Sequence, residues 1–499
     1  MPRQPRGDDP NADETRPALE RATELALEFL DGLPSRPVGA IADATALRAA
    51  LGGPLEDRGE PSAAVIDRLA RAVDGGLVAM AGPRYFGFVI GGHHPAALAA
   101  DWLTATWDQN LGLYAGGPAL SIAEEVAGGW MLDLLGLPAT ASFGFTTGAM
   151  MANFTGIAAG RHALLARSGW DVERQGLYGA PRIDVVVGAE AHATIHLALQ
   201  YLGLGREQVH VVPTDAQGRM RADELASILG GLDGPVLVCA QAGNVNTGAF
   251  DPMRDVVRIV RGRPDAWLHV DGAFGLWAAT SPRFAYLLDG AEQADSWTTD
   301  AHKWLNVPYD CGFVACADPD AHRAAMSITA AYLVQGTGDR DGVDWAPEFS
   351  RRARGVPVYA ALRALGRRGV GEMVERCCDL AARMADRLGA HPGVTILNDV
   401  VLDQVLVRFT PAGAGAEEDA AAARGPAAHD PAAADRHTRD VIAAVQRDGT
   451  CWLSGTTWHD MAAMRISVVN WSTTEADADR SVEAILWCFD RVQSAGARD

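Results

Sequence analysis

At 499 residues the chain is too long for one ordinary hydrophobic core, so two or three domains are expected. Hydrophobic residues make up 48% and charged residues 21%, which excludes a disordered chain. A formal charge of −20 and a pI of about 5.0 argue against a nucleic-acid partner. The best basic cluster, Arg351-Arg352-Ala353-Arg354, is short and interrupted.

In chain order, residues 1–16 are polar and proline-rich, a frayed tail. Segment 17–95 reads as a helical arm. Leu19, Ala22, Leu25, Ala26 and Phe29 recur at helical spacing, and Val65, Leu69 and Val73 do so after Pro61, a good first-turn residue. Such an arm must pack on something else, and a second protomer suits it. Segment 96–356 alternates helical patterns with β-branched runs at 183–187, 209–212, 236–239 and 267–270. Near-continuous apolar strands between helices predict an α/β fold with a mostly parallel sheet covered on both faces. In such sheets the ligand site lies beyond the carboxyl ends of the strands. Segment 357–499 forms a third unit, with helices over 357–366 and 370–389, strands over 404–409 and 464–469, and a last helix around 475–491. Within it, 411–435 is rich in Ala, Gly and acidic residues and predicts a flexible surface insertion.

The seven cysteines (Cys239, Cys311, Cys316, Cys377, Cys378, Cys451 and Cys488) are scattered, and no Cys-x-x-Cys occurs. This pattern fits a reducing compartment better than a disulfide framework or a zinc site. Residues 1–9 have no signal-peptide core, and no apolar run is long enough to span a bilayer. A cytoplasmic protein without membrane or metal is expected.

Two distant runs carry the chemistry: Asp300-Ala301-His302-Lys303-Trp304-Leu305-Asn306 and Trp267-Leu268-His269-Val270-Asp271-Gly272-Ala273. A lysine amine is a nucleophile only when deprotonated, which needs a partly desolvated site, and Trp304, Leu305, Val307 and Pro308 suit one. Asp271 ends a strand that should be buried, where a carboxylate needs a cationic partner. An arginine or a helix N-terminus would serve, and so would a pyridinium nitrogen. Together the two residues offer what pyridoxal phosphate requires. The amine holds its aldehyde as a Schiff base, and the carboxylate keeps its ring nitrogen protonated. Ala273 leaves room for a flat ring. A third run, Phe145-Thr146-Thr147-Gly148-Ala149-Met150-Met151-Ala152-Asn153, is a small polar loop opening into a helix, whose free N–H groups can hold a phosphate. His192 follows the strand ending near Gly188, at the same sheet edge. It either caps a helix or sits in the core, or it stacks on a cofactor ring.

With Gly82-Pro83-Arg84-Tyr85-Phe86 and the run Gly-Asn-Val-Asn-Thr-Gly-Ala-Phe-Asp-Pro at 243–252, these stretches resemble the group II pyridoxal-phosphate-dependent amino acid decarboxylases. That family includes aromatic L-amino-acid decarboxylase and glutamate decarboxylase. The resemblance runs from about Gly82 to Arg465 and beyond. It implies a fold-type I, aspartate aminotransferase-like architecture: a helical N-terminal arm, a large, mostly parallel seven-stranded sheet domain and a small α+β C-terminal domain. It also implies roles. Lys303 would hold the cofactor covalently and Asp271 would bind the pyridine nitrogen. His192 would stack on the ring and aid protonation. Thr147, Gly148 and Ala149, with Asp300 and His302, would surround the phosphate, and Asn244 or Asn246 would lie near the ring hydroxyl. Tyr332 fits the mobile-loop tyrosine that protonates the α-carbon, and Arg465 resembles the arginine that binds the substrate carboxylate. A homodimer is implied, with residues near Trp107 to Pro118 of one protomer completing the other's site. Two departures stand out. Ala149-Met150 replaces the usual Gly-Ser or Gly-Thr, so a hydroxyl contact to phosphate is lost. Asp300 replaces an asparagine common in the family, and an anion beside a phosphate is unfavourable unless it points away.

The expected reaction is α-decarboxylation of an L-amino acid to an amine and carbon dioxide. Transamination, β-elimination or oxygen-dependent aldehyde formation on the same cofactor is the alternative. Tyr332, where aldehyde-forming relatives carry phenylalanine, favours decarboxylation. A non-catalytic homologue is a third reading, opposed by the intact Lys303, Asp271, His192 and Tyr332. Tyr85 and Phe86, with Phe88, Val89 and Ile90, suggest an apolar pocket wall and an aromatic or apolar substrate. They are otherwise core residues of an early strand. His93-His94 and Arg84 suit either a polar or acidic substrate or ordinary surface contacts.

Overall fold

The computed structural model describes residues 14–328, 338–411 and 431–496. Thr15–Gly32 (α1), Ala44–Leu51 (α2) and Ser62–Val73 (α3) make the arm, and Pro95–Trp107 (α4) and Pro118–Leu134 (α5) lead into a sheet. Its strands are Ser142–Thr146 (β1), Asp184–Gly188 (β2), Val209–Val212 (β3), Val236–Gln241 (β4), Ala266–Asp271 (β5), Ser296–Asp300 (β6) and Gly312–Cys316 (β7). The helices Ala149–Arg167 (α6), Val172–Gln175 (α7), Ala193–Tyr201 (α8), Ala222–Gly230 (α9), Met253–Arg261 (α10) and Pro319–Met326 (α11) connect or flank them. The seven strands lie in the order β1-β7-β6-β5-β4-β2-β3. β7 runs antiparallel to both neighbours, and every other pair is parallel. The four-stranded second sheet is antiparallel, ordered β10-β11-β9-β8, from Val394–Ile396 (β8), Gln404–Phe409 (β9), Ser454–Trp458 (β10) and Met461–Ser467 (β11). It carries Gly355–Gly389 (α12), Pro431–Asp448 (α13) and Glu475–Gly496 (α14). This is the α/β architecture expected.

The central strands β5, β6 and β7 are buried along their whole length, as strands covered by helices on both faces must be. α6 lies across one face and packs on β4, β5, β6 and β7. α12 is two helices joined at Gly366, whose φ of 64° favours glycine and separates the two expected helices.

Three expectations need adjustment. Residues 85–90 form no strand, only a single parallel bridge from Tyr85 to Trp452. Phe88 and Val89 take φ of 54° and 59°, which ends extended pairing. The insertion expected over 411–435 ends earlier. Residues 412–430 lie outside the described residues, but 431–435 open α13, because Pro431 suits a first turn and the alanines after it are strong helix formers. The tail expected over 1–16 likewise gives its last two residues to α1, and 1–13 lie outside the described residues.

α1, α2 and α3 bury no residue, and α4 exposes Trp102, Leu103 and Trp107. In the interior, Arg351 (7% exposed) forks onto Glu124 (5%) and reaches the carbonyls of Leu111 and Phe145. Glu124 also accepts from the Gly355 N–H at 3.2 Å, so the pair ties α5, β1 and the start of α12 together. Removing one partner strands a buried charge. Arg351→Met is therefore expected to cost about 3–5 kcal/mol, read as a lower urea midpoint by circular dichroism.

Candidate active site

The groups singled out in the sequence meet at one sheet edge. Asp271 ends β5, Asp300 ends β6 with Lys303 just beyond, Thr147, Gly148 and Ala149 follow β1, and His192 follows β2. All four are carboxyl ends of strands. Burial pushes the His192 imidazole below its ordinary pKa. Asp271 and Asp300 pull it up, and Lys303 and Arg465 push it further down. The fields of four distant residues therefore converge on this ring.

Asp271 is 4% exposed. Its Oδ2 accepts from Asn153 Nδ2 at 3.1 Å and its Oδ1 from the Ala273 N–H at 3.2 Å. Both donors are neutral, and no ion pair reaches Asp271 among the described residues. A buried carboxylate so placed suits a cationic ring nitrogen. Ala273 O in turn accepts from the Asp300 N–H at 2.9 Å, which locks the two strand ends together.

Lys303 Nζ lies 3.2 Å from Asp300 Oδ2. Asp300 Oδ1 accepts from the Ala149 N–H at 2.6 Å, so this carboxylate caps the N-terminus of α6. The side chain therefore faces the phosphate loop, where the helix N-terminus attracts an anion and the Lys303 ammonium balances it. His302 Nδ1 accepts from the Cys311 N–H at 3.2 Å, which leaves the proton of the neutral ring on Nε2, 3.5 Å from Asp300 Oδ2. Burial favours that neutral form. Gly148 takes φ of 157°, and a Cβ there would press on His302 Cε1 at 3.3 Å, so the loop favours glycine. Thr147 is half-buried in the same loop. An acid with neutral donors, an adjacent lysine and a glycine-tight cradle at a helix start fit pyridoxal phosphate.

His192 is also the cap of α8: its Nδ1 lies 2.8 Å from Thr194 Oγ1, and its N–H donates to Gln241 Oε1 at 3.1 Å. Arg465 is 8% exposed. It donates to the Val245 carbonyl at 3.4 Å and keeps an unbonded buried Nε. Asn244 closes its own loop, accepting from the Asn246 and Thr247 N–H groups, and Asn246 accepts from the Thr456 hydroxyl. No hydrogen bond joins either asparagine to Asp271 or Lys303. Tyr85 and Phe86 are each 1% exposed and sit in the core, Tyr85 stacked on Trp452 at 5.1 Å. The exposed member of that run is Phe88 (54%), against the same Trp452. Tyr332 lies outside the described residues.

Just past Lys303, the fully buried Asn306 takes φ of 54°. Its side chain donates to the Trp304 and Val469 carbonyls and accepts from the Trp471 N–H at 2.9 Å.

The profile of the pyridoxal-dependent decarboxylase conserved domain matches residues 46–410. The chain belongs to that family. It is a pyridoxal-phosphate-dependent amino acid decarboxylase, a carboxy-lyase. It is 26% identical over 409 residues to an aromatic-L-amino-acid decarboxylase of Bacillus atrophaeus, covering 80% of this chain and 83% of that one. It is 29% identical over 357 residues to the human (Homo sapiens) acidic amino acid decarboxylase GADL1, covering 69% of this chain and 66% of that protein. In fold it is similar to Oryza sativa TDC crystallised with PLP and tryptamine, with a TM-score of 0.87 at 23% identity, covering 98% of this chain and 100% of that one.

Four residues of this decarboxylase escaped the sequence reading. Asn153 lies one helical turn into α6, and His269 shares a strand face with Asp271. Tyr309 places its half-exposed ring 4.3 Å from His302. Its signal was an aromatic shortly after the lysine in the same loop. Asp403 is fully buried, with Oδ1 unbonded and Oδ2 accepting from Gln404 Nε2 at 3.1 Å. Burial pushes its carboxyl up to about 7, against the pull of Gln404, Lys303 and Arg465. A carboxyl raised on folding adds stability that is complete below its ordinary pKa and is lost as pH rises through about 7. Asp403→Asn is therefore expected to raise the melting temperature relative to wild type more at pH 8 than at pH 5. Equal shifts at both pH values contradict this.

Proposed function

We propose that the substrate is an aromatic or apolar L-amino acid, released as its amine with carbon dioxide. The observation that carries this reading is the half-exposed ring of Tyr309, 4.3 Å from His302, the residue before Lys303. Phe88 adds a second exposed ring, packed against Trp452. The named relatives act on aromatic and on acidic amino acids, and Arg84 speaks against the acidic class. It is buried and committed to the Thr450 and Pro34 carbonyls and to Asp477. His94 caps α4 and packs on Trp471, so it is likewise engaged in structure.

Pyridoxal phosphate supplies an electron sink for charge developing at the substrate α-carbon. Lys303 would hold the cofactor through its amine, beside Asp300. Asp271 holds the ring nitrogen protonated, and His192 covers the ring. Gly148, Ala149, Thr147 and His302 surround the phosphate. Arg465, with its unbonded Nε, would bind and orient the substrate carboxylate. Tyr332 returns a proton to the α-carbon. The exposed apolar residues of the arm and of α4 support a homodimer, with residues 107–118 of one protomer completing the other's site. The free, buried cysteines support a reducing, cytoplasmic location. Among the described residues no helix is long and apolar enough to cross a membrane.

An amino-acid panel with amine and carbon dioxide detection tests the substrate. Aromatic side chains are expected to give the highest kcat/KM, and a preference for aspartate, glutamate or cysteine sulfinate defeats the reading. Lys303→Ala is expected to lose both the visible absorbance of the bound cofactor and turnover; retained turnover removes the assigned role. Light scattering is expected to give twice the chain mass of 52.7 kDa.

A further inference from the structure

Behind the site runs a buried chain of hydrogen bonds whose direction is settled at its two ends. Trp267 Nε1 is a donor only, and it donates to Ser296 Oγ at 3.0 Å. An ionised Asp271 is an acceptor only. Between them, Ser296 Oγ lies 2.8 Å from His269 Nδ1, His269 Nε2 lies 2.9 Å from Asn153 Oδ1, and Asn153 Nδ2 lies 3.1 Å from Asp271 Oδ2. Only one assignment satisfies every link: Ser296 donates to Nδ1, the imidazole donates from Nε2, and the amide oxygen of Asn153 faces His269. The imidazole is fully buried, and burial pushes it down to about 3, so it stays neutral and keeps this polarity. The amide nitrogen of Asn153 is thereby aimed forward with two hydrogens. One meets Asp271. The other meets Thr194 Oγ1 at 3.3 Å, and that hydroxyl lies 2.8 Å from His192 Nδ1. The Thr194 N–H approaches the same Nδ1 at 3.4 Å. Nδ1 of the neutral ring is thus an acceptor, and its proton sits on Nε2.

We propose that Asn153 is a positioning residue that joins the two halves of the cofactor site: a single carboxamide, oriented from behind by His269, holds the carboxylate of Asp271 and, through Thr194, the tautomer of His192. The inference rests on the roles proposed above for Asp271 and His192. Asn153 is fully buried, and α6 carries it across β5, so it serves the site from below, on the helix whose first turn faces the phosphate loop. A hydrogen bond to a charged group is worth enough that its loss weakens cofactor binding roughly tenfold or more.

The decisive variant is Asn153→Asp in the full-length chain, which keeps an acceptor for His269 but turns a carboxyl towards Asp271. Pyridoxal phosphate affinity is measured by titrating the cofactor-free protein between pH 6 and pH 8, with wild type in parallel. The parallel run subtracts the titration of the other groups in reach: His192, Lys303, Arg465, Asp300, Cys239 and His269. Binding is expected to be at least tenfold weaker at pH 8, and the deficit is expected to shrink as pH falls and one proton bridges the two carboxyls. A deficit independent of pH, or none, overturns the proposal. Asp271→Asn is run alongside. If it binds the cofactor like wild type, the role of Asp271 fails first and the inference falls with it. For the second arm, ring-nitrogen NMR of the cofactor-free protein reads His192, assigned by its absence in His192→Gln. Thr194→Val is expected to shift its ring nitrogens and Thr194→Ser to leave them in place. Unshifted nitrogens in Thr194→Val overturn the link to His192.

Discussion

A negative charge held inside the protein at the end of β5 is the constraint around which the rest is arranged. Asp271 cannot leave the interior, because β5 is buried along its whole length and the strand ends where the carboxylate begins. Its two protein donors, the Asn153 amide and the Ala273 N–H, are neutral. The site thus carries an electrostatic demand that a protonated heterocycle meets. A parallel sheet provides such a position cheaply, since neighbouring strands deliver their own loops to the same edge.

The charges at that edge are distributed rather than paired off. Asp300 faces both the start of α6 and Lys303, so one carboxylate stabilises a helix dipole and an ammonium together. His192 and His302 both carry depressed pKa values for the same reason, desolvation, and both act as neutral hydrogen-bonding rings. Arg465 comes from the second sheet, so a buried cation whose field reaches His192 is delivered by a different layer from the one that carries Asp271 and Asp300.

Much of this could be read from residue order. β9 begins and ends where the apolar alternation does, and Asp271, Lys303 and the glycine loop stand out because their chemistry is written in short runs. What stayed hidden depends on long-range geometry. Asn153 looks like one more helical residue until α6 is laid over β5. The side-chain direction of Asp300 is decided by a helix start far away in sequence. Tyr85 and Phe86 have the composition of a pocket wall, but backbone turns at Phe88 and Val89 send them into the core and leave Phe88 outside. The alanines that open α13 serve equally well in a linker or a helix, and only packing chooses between them.

Asn306 has a mechanical consequence. Its amide clasps the lysine loop to the segment leaving β11, through Trp304 on one side and Val469 and Trp471 on the other. The two layers are riveted a few residues from Lys303. Any rigid-body closure of the small sheet must therefore drag Lys303 with it, and adjustments to substrates of different size fall to parts of the molecule that this rivet does not hold.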